Sequence, residues 1–132
     1  MDKTQERVLE ALNGLGFQTR QLENFGHSFS YEGKTLIYLL SDDESFLSVA
    51  LPGILDYDEA DPSAFHTLAE RLNSTLKYVK ACRLGGSLWL FVERELLGEE
   101  DIRLALSHAI VHLEAAFQLA CQCLGEAKAG GN

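Results

Sequence analysis

The chain predicts an α+β fold: an antiparallel sheet of about five strands with flanking helices, in the order α-β-β-β-α-β-β-α. Three observations carry that prediction. Asp61-Pro62 opens a helix, because Asp is a favoured cap and proline's missing amide donor costs nothing at the first helical position. Gly85-Gly86 stands between two apolar runs, where a tight hairpin needs positive φ. From about Glu99 to Cys123 the apolar residues recur at helical spacing, giving one buried stripe and one wet face.

Composition sets the frame for these elements. A chain of 132 residues is one domain's length, and a hydrophobic fraction of 46% is enough for a core. We expect one domain over residues 1–124 and a small, polar, flexible tail over 125–132.

The first helix is expected from about Lys3 to Asn13, capped by Asp2 with Gln5 three residues on. Val8, Leu9, Leu12 and Leu15 form its apolar stripe, and Gly14 and Gly16 stop it. Three strands follow. His27 to Glu32 alternates, with Phe29 and Tyr31 on one side and Ser28 and Ser30 on the other. Glu32-Gly33-Lys34 turns the chain into Lys34 to Leu40, which is apolar on both sides, as in a strand covered on both faces. Ser41 to Ser45 is an acidic loop, and Phe46 to Leu51 is the third strand, ended by Pro52-Gly53. After an acidic connection, the second helix buries Phe65, Leu68, Ala69 and Leu72 and ends near Asn73-Ser74. Leu76 to Leu84 and Ser87 to Glu93 are the hairpin strands. Glu99, Glu100 and Asp101 suit the positive end of the last helix. Its stripe is Ile102, Leu106, Ala109, Ile110, Leu113, Phe117, Ala120 and Leu124.

Charge and cysteines limit the function. Eleven Lys and Arg against 20 Asp and Glu give a formal net charge of −9. Such a field repels phosphate backbones and anionic membrane surfaces, so neither nucleic acid nor membrane is an expected partner. No stretch approaches the 18 or so apolar residues of a membrane span, and the polar start Met1 to Glu6 is unlike a signal peptide. Three cysteines are an odd, sparse set, unlike a disulfide framework. The expected location is the cytoplasm.

The candidate chemistry is thin. His108 and His112, four apart, share a helix face, a spacing that suits two metal ligands; Ala109 stands where a zincin has Glu. Asp56 to Asp61 has the look of a calcium loop, but Ala60, Asp61 and Thr67 occupy three defining positions. Cys121 and Cys123 face different ways on a helix, and Cys82 reads as core. Gly85-Gly86 is followed by strand, not by the helix a phosphate cradle needs. No catalytic residue, metal or cofactor is expected. Phe29, Trp89 and Phe91 are the candidate partner-binding residues, although a strand Trp between leucines commonly sits in a core or dimer interface.

One pattern has a familiar likeness. The helix end Leu72-Asn73 leads to Lys77-Tyr78-Val79-Lys80, then to the hairpin Leu84-Gly85-Gly86-Ser87-Leu88, the strand end Val92-Glu93-Arg94-Glu95 and the final helix. This resembles the YbjN family of bacterial proteins and, more broadly, the type III secretion chaperone-like fold. The likeness spans Lys3 to Leu124 in element order and is most specific over Asn73 to Glu95. Chaperones of similar fold are small, acidic, cytoplasmic homodimers that bind an extended segment along apolar grooves. YbjN-like proteins have been linked to regulatory or stress roles without a settled biochemical activity, so the resemblance supplies no catalytic residue.

Two strands apolar on both faces also ask for cover on each side of the sheet, from helices or from a second subunit. The expectation is therefore a homodimeric, non-enzymatic protein-binding module, chaperone-like or regulatory. It would take an unknown protein partner through an apolar groove or a sheet edge. The rival expectation is small-molecule or metal binding through His108, His112 and the Asp56–Asp61 loop.

Overall fold

The structure, a computed structural model, describes residues 3–130, with side chains through Glu126. The elements are α1 (Lys3–Gly14), β1 (Arg20–Leu22), β2 (Gly26–Tyr31), β3 (Lys34–Leu39), β4 (Phe46–Asp56), α2 (Pro62–Thr75), β5 (Val79–Leu84), β6 (Ser87–Glu95) and α3 (Ile102–Gly130). The strands form one sheet in the order β1-β2-β3-β4-β6-β5, and every neighbouring pair is antiparallel. The fold class is the α+β antiparallel one that the sequence predicts, with a sixth strand added. That strand, β1, has only three residues, too few to show alternation, and it exists through its pairing with β2.

The differences at element ends have local causes. Pro52-Gly53 does not end β4. Leu51 pairs with Leu90 and Leu55 with Leu88, so Pro52, Gly53 and Ile54 stand opposite Trp89 alone. This bulge absorbs both a residue without an amide donor and a glycine at φ 66°. The expected strand from Leu76 starts only at Val79, because Tyr78 at φ 68° is left-handed and cannot be extended. In the hairpin, only Gly85 takes a positive φ, 63°, the pattern of a type II′ turn.

The helix caps also differ from expectation. The Asp2 cap lies outside the described residues. Asp61 precedes α2 but makes no bond to a backbone amide, and its Oδ1 accepts from the Ser63 hydroxyl at 2.8 Å. Asp101, expected inside the last helix, instead caps it, accepting from the amides of Arg103 at 2.9 Å and Leu104 at 3.4 Å. At its other end α3 continues through Gly125 to Gly130, past the expected end at Cys123. Glu126 ties that last stretch to α2, meeting Arg71 at 3.0 Å.

By length and composition, Ile102–Glu126 would suffice to cross a membrane, contrary to the sequence reading. Leu104 and Val111 on the outer face add to the apolar stripe and raise the average. Here the stripe itself packs inward. Ile102, Ala105, Leu106, Ala109, Ile110, Leu113, Ala116, Ala120 and Cys123 are buried in one cluster with Val8, Ala11 and Leu12 of α1 and Phe65, Leu68 and Leu72 of α2. Leu15, expected in the α1 stripe, is instead partly exposed. The sheet's contribution to the same cluster includes Phe29, Leu36, Tyr38, Leu47, Val49, Leu51, Val79, Ala81, Leu88, Leu90 and Val92. Each fully buried leucine, such as Leu36 or Leu90, stabilises the fold by about 1.5–3 kcal/mol relative to exposure.

All three helices therefore cover one face of the sheet. Cross-strand partners point to the same side of an antiparallel pair. On the opposite side stand Ile37, Ala50, Phe91 and Lys80 in one row, and Trp89 and Cys82 in another. Ile37, Ala50 and Phe91 are buried yet do not belong to the helix-covered cluster. Of the two covers expected for the second face, the middle helix or a second subunit, the middle helix is not the one that forms, because α2 joins α1 and α3 on the same side.

Candidate functional site

The helix-free face is where the structure places two of the three candidate partner-binding residues. Trp89 and Phe91, two apart on β6, stack with centroids 5.9 Å apart and ring planes 17° apart. Leu84, half exposed, and the partly buried Cys82 extend the apolar surface along β5. Cys82 thus lies beside Trp89 on this face, not in the main core. Phe46, 39% exposed, stands on the same side at the start of β4, opposite Glu95.

Phe29 does not join them. Its place on β2 turns it toward the helices, where it is buried with its ring 5.0 Å from that of Phe17. The alternation Phe29/Tyr31 against Ser28/Ser30 was legible, but which side the helices would cover was not.

Polar groups frame the apolar patch. Lys80 Nζ meets Glu93 Oε1 at 3.0 Å and lies 6.0 Å from the centre of the Phe91 ring. That pairing holds the Lys80 ammonium above its ordinary pKa. Glu95 and Asp56 lie toward the two ends of β6 on this side, and Arg20 reaches it from β1.

The β5 edge of the sheet is less open than its face. β5 is an outer strand, and the outward amide and carbonyl of Ala81 are both taken by the Asn73 side chain. Ala81 N donates to Asn73 Oδ1 at 2.7 Å, and Asn73 Nδ2 donates to Ala81 O at 2.8 Å. A side-chain amide at the end of α2 thus imitates the next strand and blocks strand addition at the middle of this edge. Sequence reasoning treated Asn73 only as a helix terminator. Its weak helix propensity was the visible signal; its partner eight residues on was not.

The rival site divides into two places. His108 and His112 do face each other on α3, with Nε2 atoms 3.0 Å apart and ring centroids 4.2 Å apart. Tyr78 packs on both, its ring 5.1 Å from His108 and 4.9 Å from His112. Desolvation, helped by the neighbouring His108, lowers the His112 pKa. A cavity of about 320 Å³ opens beside His108, lined by Tyr78, Val92, Arg94, Glu100 and Leu104.

The Asp56–Asp61 loop is elsewhere. Asp56 pairs with Ser87 at one end of β6, whereas the His108 cavity reaches Val92 to Arg94, about 20 Å along the strand. The loop's acidic groups serve the turn: Asp58 Oδ1 accepts from Ala60 N at 2.9 Å. Tyr57 packs edge-on to Phe65 under the Arg83 guanidinium, which is 3.7 Å from its ring centre. Among the described residues, no three His, Cys, Asp or Glu side chains stand together as a metal cluster.

No protein-family model matches this chain, and no curated protein matches it by sequence. Solved structures do match in shape. An uncharacterised protein from Methanothermobacter thermautotrophicus superposes with a TM-score of 0.65 at 17% identity, over 93% of this chain and 97% of that one. YbjN of E. coli, a candidate transcription regulator, superposes with a TM-score of 0.62 at 12% identity, over 96% of this chain and 93% of its own. At such identities the likeness is one of fold, and the fold of this chain is YbjN-like.

Proposed function

We propose that the chain is a non-enzymatic protein-binding module, regulatory or chaperone-like, that seats a basic amphipathic partner segment on the helix-free face of its sheet. The observation that carries this is the Trp89–Phe91 stack on the face opposite the one that the helices cover, among the described residues. Stacked aromatics in an apolar patch with a polar rim are the makings of a binding hot spot. Asn73 argues for the face over the β5 edge.

Charge selects the occupant. The chain carries −9; at the rim Lys80 is matched by Glu93, and Asp56 and Glu95 outnumber Arg20 around the patch. A second copy would bring another −9 to the same place, whereas a basic segment is drawn to it. An amphipathic helix can lie on this face as α1 to α3 lie on the other.

Trp89 is the only tryptophan, so its emission reports this face directly. The test titrates the purified chain with a helical Leu/Lys peptide and, separately, with its Leu/Glu counterpart, with the solution mass measured by light scattering. A saturable blue shift of Trp89 with the basic peptide alone, weakened by Leu84→Lys, is the expected result. Three results would overturn it: no shift, equal response to both peptides, or a stable dimer that already shields Trp89. The last would give the face to a second copy.

A further inference from the structure

We propose that His108, His112 and Tyr78 form an open two-histidine site on α3 for a late first-row divalent cation such as Ni²⁺, Cu²⁺ or Zn²⁺. The Nε2 atoms of the two histidines stand 3.0 Å apart. Two nitrogens each about 2.0–2.1 Å from one metal are about 2.9 Å apart in a square or octahedral site and about 3.3 Å apart in a tetrahedral one. The observed spacing falls between these values, so a cation can bridge the rings in place of the hydrogen bond they now share. Spacing of four residues on a rigid helix makes the pair a preformed chelate, which lowers the ordering cost of binding.

Tyr78 is the second, independent observation. An aromatic residue at φ 68° is a backbone outlier, held there against its own steric preference. Its ring lies against both imidazoles and fixes their orientation. Tyr78 is nevertheless 65% exposed, so burial of its own apolar surface does not account for its position. His108 is exposed as well, leaving the outer side of the pair accessible. With two protein ligands, the remaining coordination positions fall to water or to a donor group on a bound molecule.

The test uses the full chain in a Cys121→Ser background, so that the exposed thiol does not compete for the metal. Calorimetry with NiCl₂ and ZnCl₂ reads stoichiometry and affinity, and Cu²⁺ electron paramagnetic resonance counts nitrogen ligands. The expected result is one cation per chain, two equivalent nitrogens in the copper spectrum, and at least a tenfold loss of affinity in His108→Ala and in His112→Ala. His66→Ala, elsewhere on the surface, should bind as the parent does. Circular dichroism of each variant separates loss of ligand from loss of fold. The proposal is overturned by no binding, or by binding that both histidine variants leave unchanged.

Discussion

Replacing Asn73 by alanine removes both partners of the Ala81 peptide groups at one stroke. The two bonds, 2.7 and 2.8 Å long, are short and part-buried, while the Asn73 residue as a whole is exposed. Each such bond is worth about 0.5–1.5 kcal/mol net, and water can reach this edge to replace part of it, so the expected cost is about 1–2 kcal/mol. At about 2.1 cal/mol/K of unfolding entropy per residue, that is a fall in Tm of roughly 4–7 °C for a chain of this length.

Asn73→Asp is the sharper variant. It keeps an acceptor for the Ala81 amide but sets a carboxylate oxygen against the Ala81 carbonyl, so it should lose about as much stability as Asn73→Ala despite its matching shape. Thermal and urea unfolding give the stability, and light scattering over a concentration series reports whether the unmasked edge pairs with another chain. A Tm within a degree of the parent for Asn73→Ala, or an Asp variant as stable as the parent, would show that the amide does not hold this edge.

Three further outcomes follow from the packing. Phe29→Ala should cost about 3–5 kcal/mol in urea unfolding, and Trp89→Ala clearly less, because only Phe29 is enclosed by the helix-covered core. Gly26→Ala should destabilise by about 1–3 kcal/mol, since its new methyl would meet the backbone carbonyl of Tyr38; an unchanged midpoint would mean β2 and β3 can separate at no cost. His27 is buried against Gln5 and Tyr38, and burial lowers its pKa below the ordinary 6.5. The unfolded chain therefore binds this proton more readily. The His27 contribution to stability is fully present above pH 6.5 and is lost as pH falls from there toward the lower folded-state value. His27→Gln should flatten the slope of Tm against pH in that window, and an unchanged slope would rule out His27 as its source.

The sequence by itself determined the elements whose signal is local. Asp61-Pro62 placed the start of α2, Glu32-Gly33 and Gly85-Gly86 placed two hairpins, and the spacing from Ile102 to Ala120 placed the buried side of α3. The pairing of His108 with His112 also followed from spacing, since four residues make one helical turn. Only the tertiary structure decided what depends on contacts distant in the chain. Pro52-Gly53 lies inside a strand because β6 continues past it and a bulge takes up the difference. Asp101, not Glu99, marks the start of α3, because Glu100 is held by Arg94 and the Leu97 amide before the helix begins. Phe29 and Phe91 have the same strand chemistry, yet one is core and the other faces away from every helix. An alternating strand states that its two sides differ, but not which side the rest of the chain will cover. That choice was made when α1, α2 and α3 closed over a single hydrophobic cluster on the same side of the sheet.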